Sequence, residues 1–126
     1  MKFKKYILIT VFILYCNILY GATITANDII AYPVPFNPNA KTLSVGTVAS
    51  LGAGYSIDVS IYDINGDLII KKSTSGTKIM WNGRNRSGRI VKPGLYILKV
   101  EVEKDSSSSS SQSEFVKKMI RILVDY

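Results

Sequence analysis

Past residue 16 the chain contains no cysteine, and it contains no histidine anywhere. Without them a disulfide framework, a Cys/His zinc site, a Cys-His dyad and any histidine-based triad are excluded from the folded part. Long apolar runs are also scarce. The longest apolar run, Tyr6 to Tyr20 with a polar break at Asn17, has 15 residues, fewer than the roughly 20 that a helix needs to cross a bilayer, so no stable transmembrane span is expected. No 3.6-residue periodicity follows residue 21, which leaves strands as the repeating element. Proline is confined to four positions, three of them between Pro33 and Pro38.

What is present begins with an address. Lys2, Lys4 and Lys5 precede the apolar run, and the small residues Gly21 and Ala22 follow it, which is the layout of a secretory signal peptide. Residues 1–21 are therefore read as a cleaved signal and residues 22–126 as one exported domain, bound for the periplasm, the cell surface or the medium. Ile13-Leu14-Tyr15-Cys16 is loosely similar to a bacterial lipoprotein signal, in which Cys16 would carry a lipid anchor. That pattern wants a small residue where Tyr15 stands, so Cys16 reads as an ordinary thiol inside a discarded leader. The leader holds three lysines and no acid, and without it the formal charge falls from +7 to +4. Lys71-Lys72, Arg84/Arg86/Arg89 and Lys117-Lys118 then read as a solvated face, and no nucleic-acid partner is expected.

About 105 residues can bury a sufficient core without staples. Tyr55 to Tyr62 alternates strictly, with Ile57, Val59 and Ile61 on one face and Ser56, Asp58 and Ser60 on the other. Such a strand has one dry and one wet face. Asn65-Gly66 and then Leu68-Ile69-Ile70 predict a hairpin with a primed turn. Residues 95–103 repeat the alternation, with Tyr96, Leu98, Val100 and Val102 inward, and Phe115 to Val124 is expected to pair with them across a serine-rich loop at 105–114. Prolines 33, 35 and 38 forbid a central strand, so this segment should run along an edge with Phe36 pointing inward. Trp81 is expected in the core. The stretch after it carries three turn signals, Asn82-Gly83, Ser87-Gly88 and Pro93-Gly94. Some seven short strands spaced by turns predict an all-β antiparallel sandwich, with a small barrel as the alternative. Tyr96, just after Gly94, is placed for a tyrosine corner, whose phenol bonds back to the preceding loop.

The motifs Pro33-Val34-Pro35-Phe36-Asn37-Pro38, Val59-Ser60-Ile61-Tyr62-Asp63-Ile64-Asn65-Gly66 and Trp81-Asn82-Gly83-Arg84-Asn85, with Gly88, Gly94 and Tyr96, closely resemble the Ig-like domain of flagellar hook-capping proteins. The same module looks like the C-terminal domain of many secreted bacterial enzymes and is similar to the type A sorting domain of the type IX secretion system. The resemblance implies an immunoglobulin-like or fibronectin type III-like sandwich without catalytic residues. It makes Pro35, Phe36, Asn37, Pro38, Tyr62, Asp63, Asn65, Gly66, Trp81, Asn82, Gly83, Gly88, Gly94 and Tyr96 a structural signature.

Other chemistry is thinly represented. Asp63-Ile64-Asn65-Gly66-Asp67 spaces oxygen ligands like the start of a calcium loop but lacks the glutamate at the twelfth position, where Thr74 stands, so the hairpin reading prevails. The carboxylates on strand faces carry no spacing signature of a glycosidase pair. Neither a cofactor nor an enzymatic activity is expected. The chain reads as an exported structural or protein-interaction module of the bacterial envelope, whose partner is an envelope or secreted protein met through an exposed sheet edge. The alternative is a type IX secretion-like sorting or attachment domain, or a remnant of a larger secreted protein.

Overall fold

The computed structural model describes residues 24–48, 54–104 and 114–126. The signal peptide, Cys16 and all of the serine-rich loop except Glu114 lie outside these residues. A 3-10 turn, Ala26–Asp28, leads into seven strands: β1 (Ile29–Tyr32), β2 (Leu43–Thr47), β3 (Tyr55–Asp63), β4 (Leu68–Ser75), β5 (Lys78–Trp81), β6 (Gly94–Lys104) and β7 (Phe115–Val124). They form two antiparallel sheets, β1-β2-β5 and β4-β3-β6-β7. This is the sandwich the alternation predicts. Because β4 stays beside β3 and only β5 crosses to the other sheet, the order is that of a fibronectin type III-like domain.

Alternation decides which face each strand buries. On β3, Ile57, Val59 and Ile61 are buried, and on β6 so are Tyr96, Leu98, Val100 and Val102, with Ile122 and Val124 beside them on β7. From the opposite sheet come Ile29, Leu43, Val45, Ile79 and Trp81. A fully buried aliphatic side chain contributes about 1.5–3 kcal/mol, so this two-layer core supplies the stability that no disulfide provides.

Phe36 is completely buried and tacks its segment onto the end of β7. Its N–H donates to Leu123 O at 2.8 Å, and Asp125 N–H donates to Phe36 O at 3.0 Å. The proline-rich segment therefore does run along a sheet edge, parallel to β7. At the opposite pole Lys104 N–H donates to Glu114 O at 2.9 Å, and Tyr55 Oη donates to the Glu114 carboxylate at 2.8 Å, so β6 and β7 remain joined on both sides of residues 105–113.

Candidate functional site

The signature residues converge on one pole of the sandwich, where β1, β3, β5 and β7 end and β2, β4 and β6 begin. Trp81, last residue of β5, faces inward and is 1 % exposed. Its ring lies 5.5 Å from that of Phe36 and 6.4 Å from that of Tyr96, the latter edge-on, so three aromatics from three elements form one chain. The indole N–H donates to Arg84 O at 2.9 Å, which satisfies the buried polar end and folds the following loop back over the ring.

Gly83 is required twice over. Its φ is +76°, and a Cβ there would stand 2.4 Å from Pro38 Cβ and 3.2 Å from the Phe36 ring. The Tyr96 phenol donates to Lys92 O at 2.7 Å, the bond expected of a tyrosine corner. Burial, and secondarily the nearby Asp63 carboxylate and Tyr126, push the Tyr96 hydroxyl above its ordinary pKa. Tyr126 Oη donates to Val91 O at 3.0 Å and closes the same pole from the C-terminal side.

Two loops at this pole are built alike. Asp63 Oδ1 accepts from Asn65 N and Asp67 N at 2.9 and 3.0 Å, and Asn85 Oδ1 accepts from Ser87 N and Arg89 N, both at 3.0 Å. Each loop ends on a glycine with positive φ, Gly66 at +87° and Gly88 at +79°. The hairpin is thus real, but its turn is not primed. Only Gly66 takes a positive φ while Asn65 does not, and Gly66 N–H donates to Asp63 O with Asp63 N–H donating to Asp67 O. That is a type I turn closed by a glycine bulge, and a separate irregularity follows it, where the register shifts between Ile61 and Tyr62 and Ile69 is the extra residue. The Asp63 carboxylate aims one oxygen at its own loop, which is the physical content of the hairpin reading. Asn37 Oδ1 caps Asn39 N at 2.9 Å in the same manner. Every signature side chain thus described serves this pole's architecture.

The lysine pairs read as a solvated face behave differently, because adjacent residues of a strand point to opposite faces. Lys71 is outside and pairs with Asp58 at 3.4 Å. Lys72 points inward from the edge strand β4 and donates to Met80 O on β5 at 2.8 Å. Lys117 is outside, whereas Lys118 points inward from β7 and donates to Ile29 O on β1 at 2.8 Å. Sequence reasoning missed these two crossings, although the placement of each lysine pair within an alternating strand was their signal.

Exposed apolar side chains gather in two places. On the outer face of the three-stranded sheet, Ile30, Tyr32 and Lys78 flank Ser44 and Gly46 in a shallow trough of about 300 Å³. On the four-stranded sheet, Phe115, Met119 and Leu123 line the outer face of β7, alternating with the cations Lys117 and Arg121. Among the described residues no group of three or more Cys, Asp or Glu side chains is arranged to hold a metal, and no helix is long and apolar enough to cross a membrane.

No family model matches the sequence, nor does any curated protein. Solved structures do match. PorZ, an essential bacterial surface component of the type IX secretion system of Porphyromonas gingivalis, aligns over 85 % of this chain at 28 % identity with a TM-score of 0.56. Dimeric latent PorU of the same organism aligns over 78 % at 17 % identity with a TM-score of 0.51, a likeness of fold alone. The chain spans only 13 % and 9 % of those two proteins. Of the resemblances drawn from the motifs, the one to type IX secretion-related domains has structural neighbours behind it. The one to flagellar hook-capping domains rests on the motifs alone.

Proposed function

We propose that this chain is an exported, non-enzymatic Ig-like domain that serves as a structural or protein-interaction module of the bacterial cell envelope, in the setting of type IX secretion. The observation that carries the reading is the alignment of 85 % of the chain with part of PorZ, a surface component of that system. The signature residues support it, since the side chains traced above act as core anchors, turn caps and close contacts and none is left over for chemistry. The test is the intact mass, with both termini mapped, of the native protein recovered from periplasm, membrane and medium. A chain that begins near Ala22 and is found in the envelope or medium fits the reading. A chain retained in the cytoplasm with its leader intact overturns it.

A second reading, a sorting or attachment domain recognised by the secretion apparatus, draws support from the small share of PorZ and PorU that the chain matches, because the same module there belongs to much longer proteins. Loss of the C-terminal region from the exported protein would favour this reading, and an intact Tyr126 would count against it.

A further inference from the structure

Each sheet of a sandwich has two edges, and three of the four here are blunted. Lys118 and Lys72 occupy the outward carbonyls of Ile29 and Met80 at the two edges of the three-stranded sheet. On β4 the outward row is Lys71, Ser73 and Ser75, polar throughout and with its cation already paired to Asp58. Edge strand β7 differs. Lys104 N–H reaches Glu114 O, so even-numbered residues of β7 exchange hydrogen bonds with β6. In an antiparallel ladder the odd-numbered residues then turn their backbone groups away from it. At Leu123 and Asp125 those groups are taken by Phe36. At Phe115, Lys117, Met119 and Arg121 they meet no partner among the described residues, a stretch of about 23 Å at ~3.3 Å per residue.

The side chains beside this open edge mix large apolar groups with cations unpaired among the described residues. Phe115 and Met119 are 58 % and 56 % exposed, and neither Lys117 nor Arg121 has a carboxylate within ion-pair distance among the described residues. We infer that the open part of β7 is a strand-addition site for an extended segment of another protein that carries acidic and apolar residues in turn at every second position, along the one face that meets Phe115, Lys117, Met119 and Arg121. Acidic side chains lie opposite Lys117 and Arg121, and apolar ones lie opposite Phe115 and Met119. Backbone pairing supplies the affinity and the charge pattern selects the segment. The Phe36 segment is the internal precedent, since it adds to the same edge by the same bonds. Self-pairing in the register centred on Met119 is disfavoured because it sets Lys117 directly against Arg121, and like charges opposite one another destabilise a sheet.

The inference rests on the interaction-module reading, and its test has two arms. In the first, the purified chain is titrated with the capped heptapeptide Glu-Thr-Val-Thr-Glu-Thr-Val, which sets glutamates opposite Arg121 and Lys117 and valines opposite Met119 and Phe115 in antiparallel register, and with the counterpart in which lysine replaces both glutamates, while amide hydrogen exchange is followed. Protection of the Lys117, Met119 and Arg121 amides by the acidic peptide only, weakened at least tenfold in Lys117→Glu/Arg121→Glu, is the expected result. Met119→Pro should abolish it while leaving the β6–β7 ladder intact, because proline is tolerated where the lost N–H faced solvent. Equal binding of both peptides, protection on β4 instead, no protection at all, or a dimer of the unmodified chain that Met119→Pro dissolves would each overturn the proposal.

In the second arm a photoreactive phenylalanine analogue stands at position 119 or position 73 in producing cells. Adducts from position 119 that map by mass spectrometry to a segment with acidic and apolar residues in turn at every second position support the site. Adducts from position 73 alone overturn the edge assignment and leave the module reading standing. Adducts from neither position overturn both.

Discussion

Lys72 and Lys118 occupy matching positions at opposite seams of the sandwich. Each is the inward-facing lysine of an edge strand of the four-stranded sheet, and each reaches across to a backbone carbonyl on the edge strand facing it, Met80 O and Ile29 O, at 2.8 Å. Each thereby occupies an outward carbonyl at an edge of the three-stranded sheet, a group that would otherwise be free to pair with another chain. Replacing both by methionine should therefore alter folding stability little, since a solvent-accessible hydrogen bond contributes only about 0.5–1.5 kcal/mol, while promoting self-association. Light scattering of the double variant across a concentration series checks this, and an unchanged molar mass would sink the idea.

Trp81 anchors the aromatic chain between Phe36 and Tyr96. Trp81→Ala should cost about 3–5 kcal/mol, a large share of the ~5–15 kcal/mol that a domain of this size possesses. Urea denaturation measures it. A midpoint close to that of the unmodified chain would show that the pole is held by something other than this ring.

Gly66 and Gly83 both have positive φ, yet their replacement should differ in consequence. Nothing lies within 4 Å of a Cβ built at Gly66, whereas one at Gly83 strikes Pro38. Gly66→Ala should cost about 1–2 kcal/mol of backbone strain, and Gly83→Ala about 1–3 kcal/mol more for the forced repacking. Equal losses in the two variants would contradict the close packing of Pro38 on this loop.

Asp63 and Asn85 cap their loops through one oxygen each. Asp63→Asn keeps that acceptor and should be nearly silent, while Asp63→Ala and Asn85→Ala should each lose about 1 kcal/mol and raise hydrogen exchange at residues 65, 67, 87 and 89. A destabilised Asp63→Asn would mean that the negative charge itself matters.

Tyr96 has its hydroxyl pKa raised by burial. The unfolded chain therefore loses this proton first as pH rises, so the contribution is complete below about pH 10 and declines as pH climbs through the higher folded value. Tyr96→Phe should be less stable than the unmodified chain at neutral pH, because Lys92 O loses its donor. The gap between the two should narrow above pH 10, and thermal melts at pH 7 and pH 11 test the sign.

How much of this was legible in the sequence follows from the range of the forces involved. Strand faces on β3 and β6 are local, set by period-two alternation, and so are the tyrosine corner and the inward turn of Phe36. The turn at Asn65-Gly66 is not legible from the dipeptide alone, because the Asp63 side chain organises the loop into a bulged type I turn. Charge alone sends Lys72 and Lys118 to solvent, whereas their step within an alternating strand turns them inward, and the carbonyl each one meets there depends on the seam between the sheets. The likeness of the loops at Asp63 and Asn85 was hidden because an acid and an amide present the same acceptor under different letters.

Lys104 and Glu114 bond to one another directly, and Tyr55 secures the second of them. The register of β6 on β7 is thus fixed by groups that flank the serine tract, not by its length. Each doubling of a flexible loop adds only about 0.6 kcal/mol of closure cost. A change in the length of this tract is therefore nearly invisible to the folded domain, and the same point in the chain is a ready place to insert a foreign sequence.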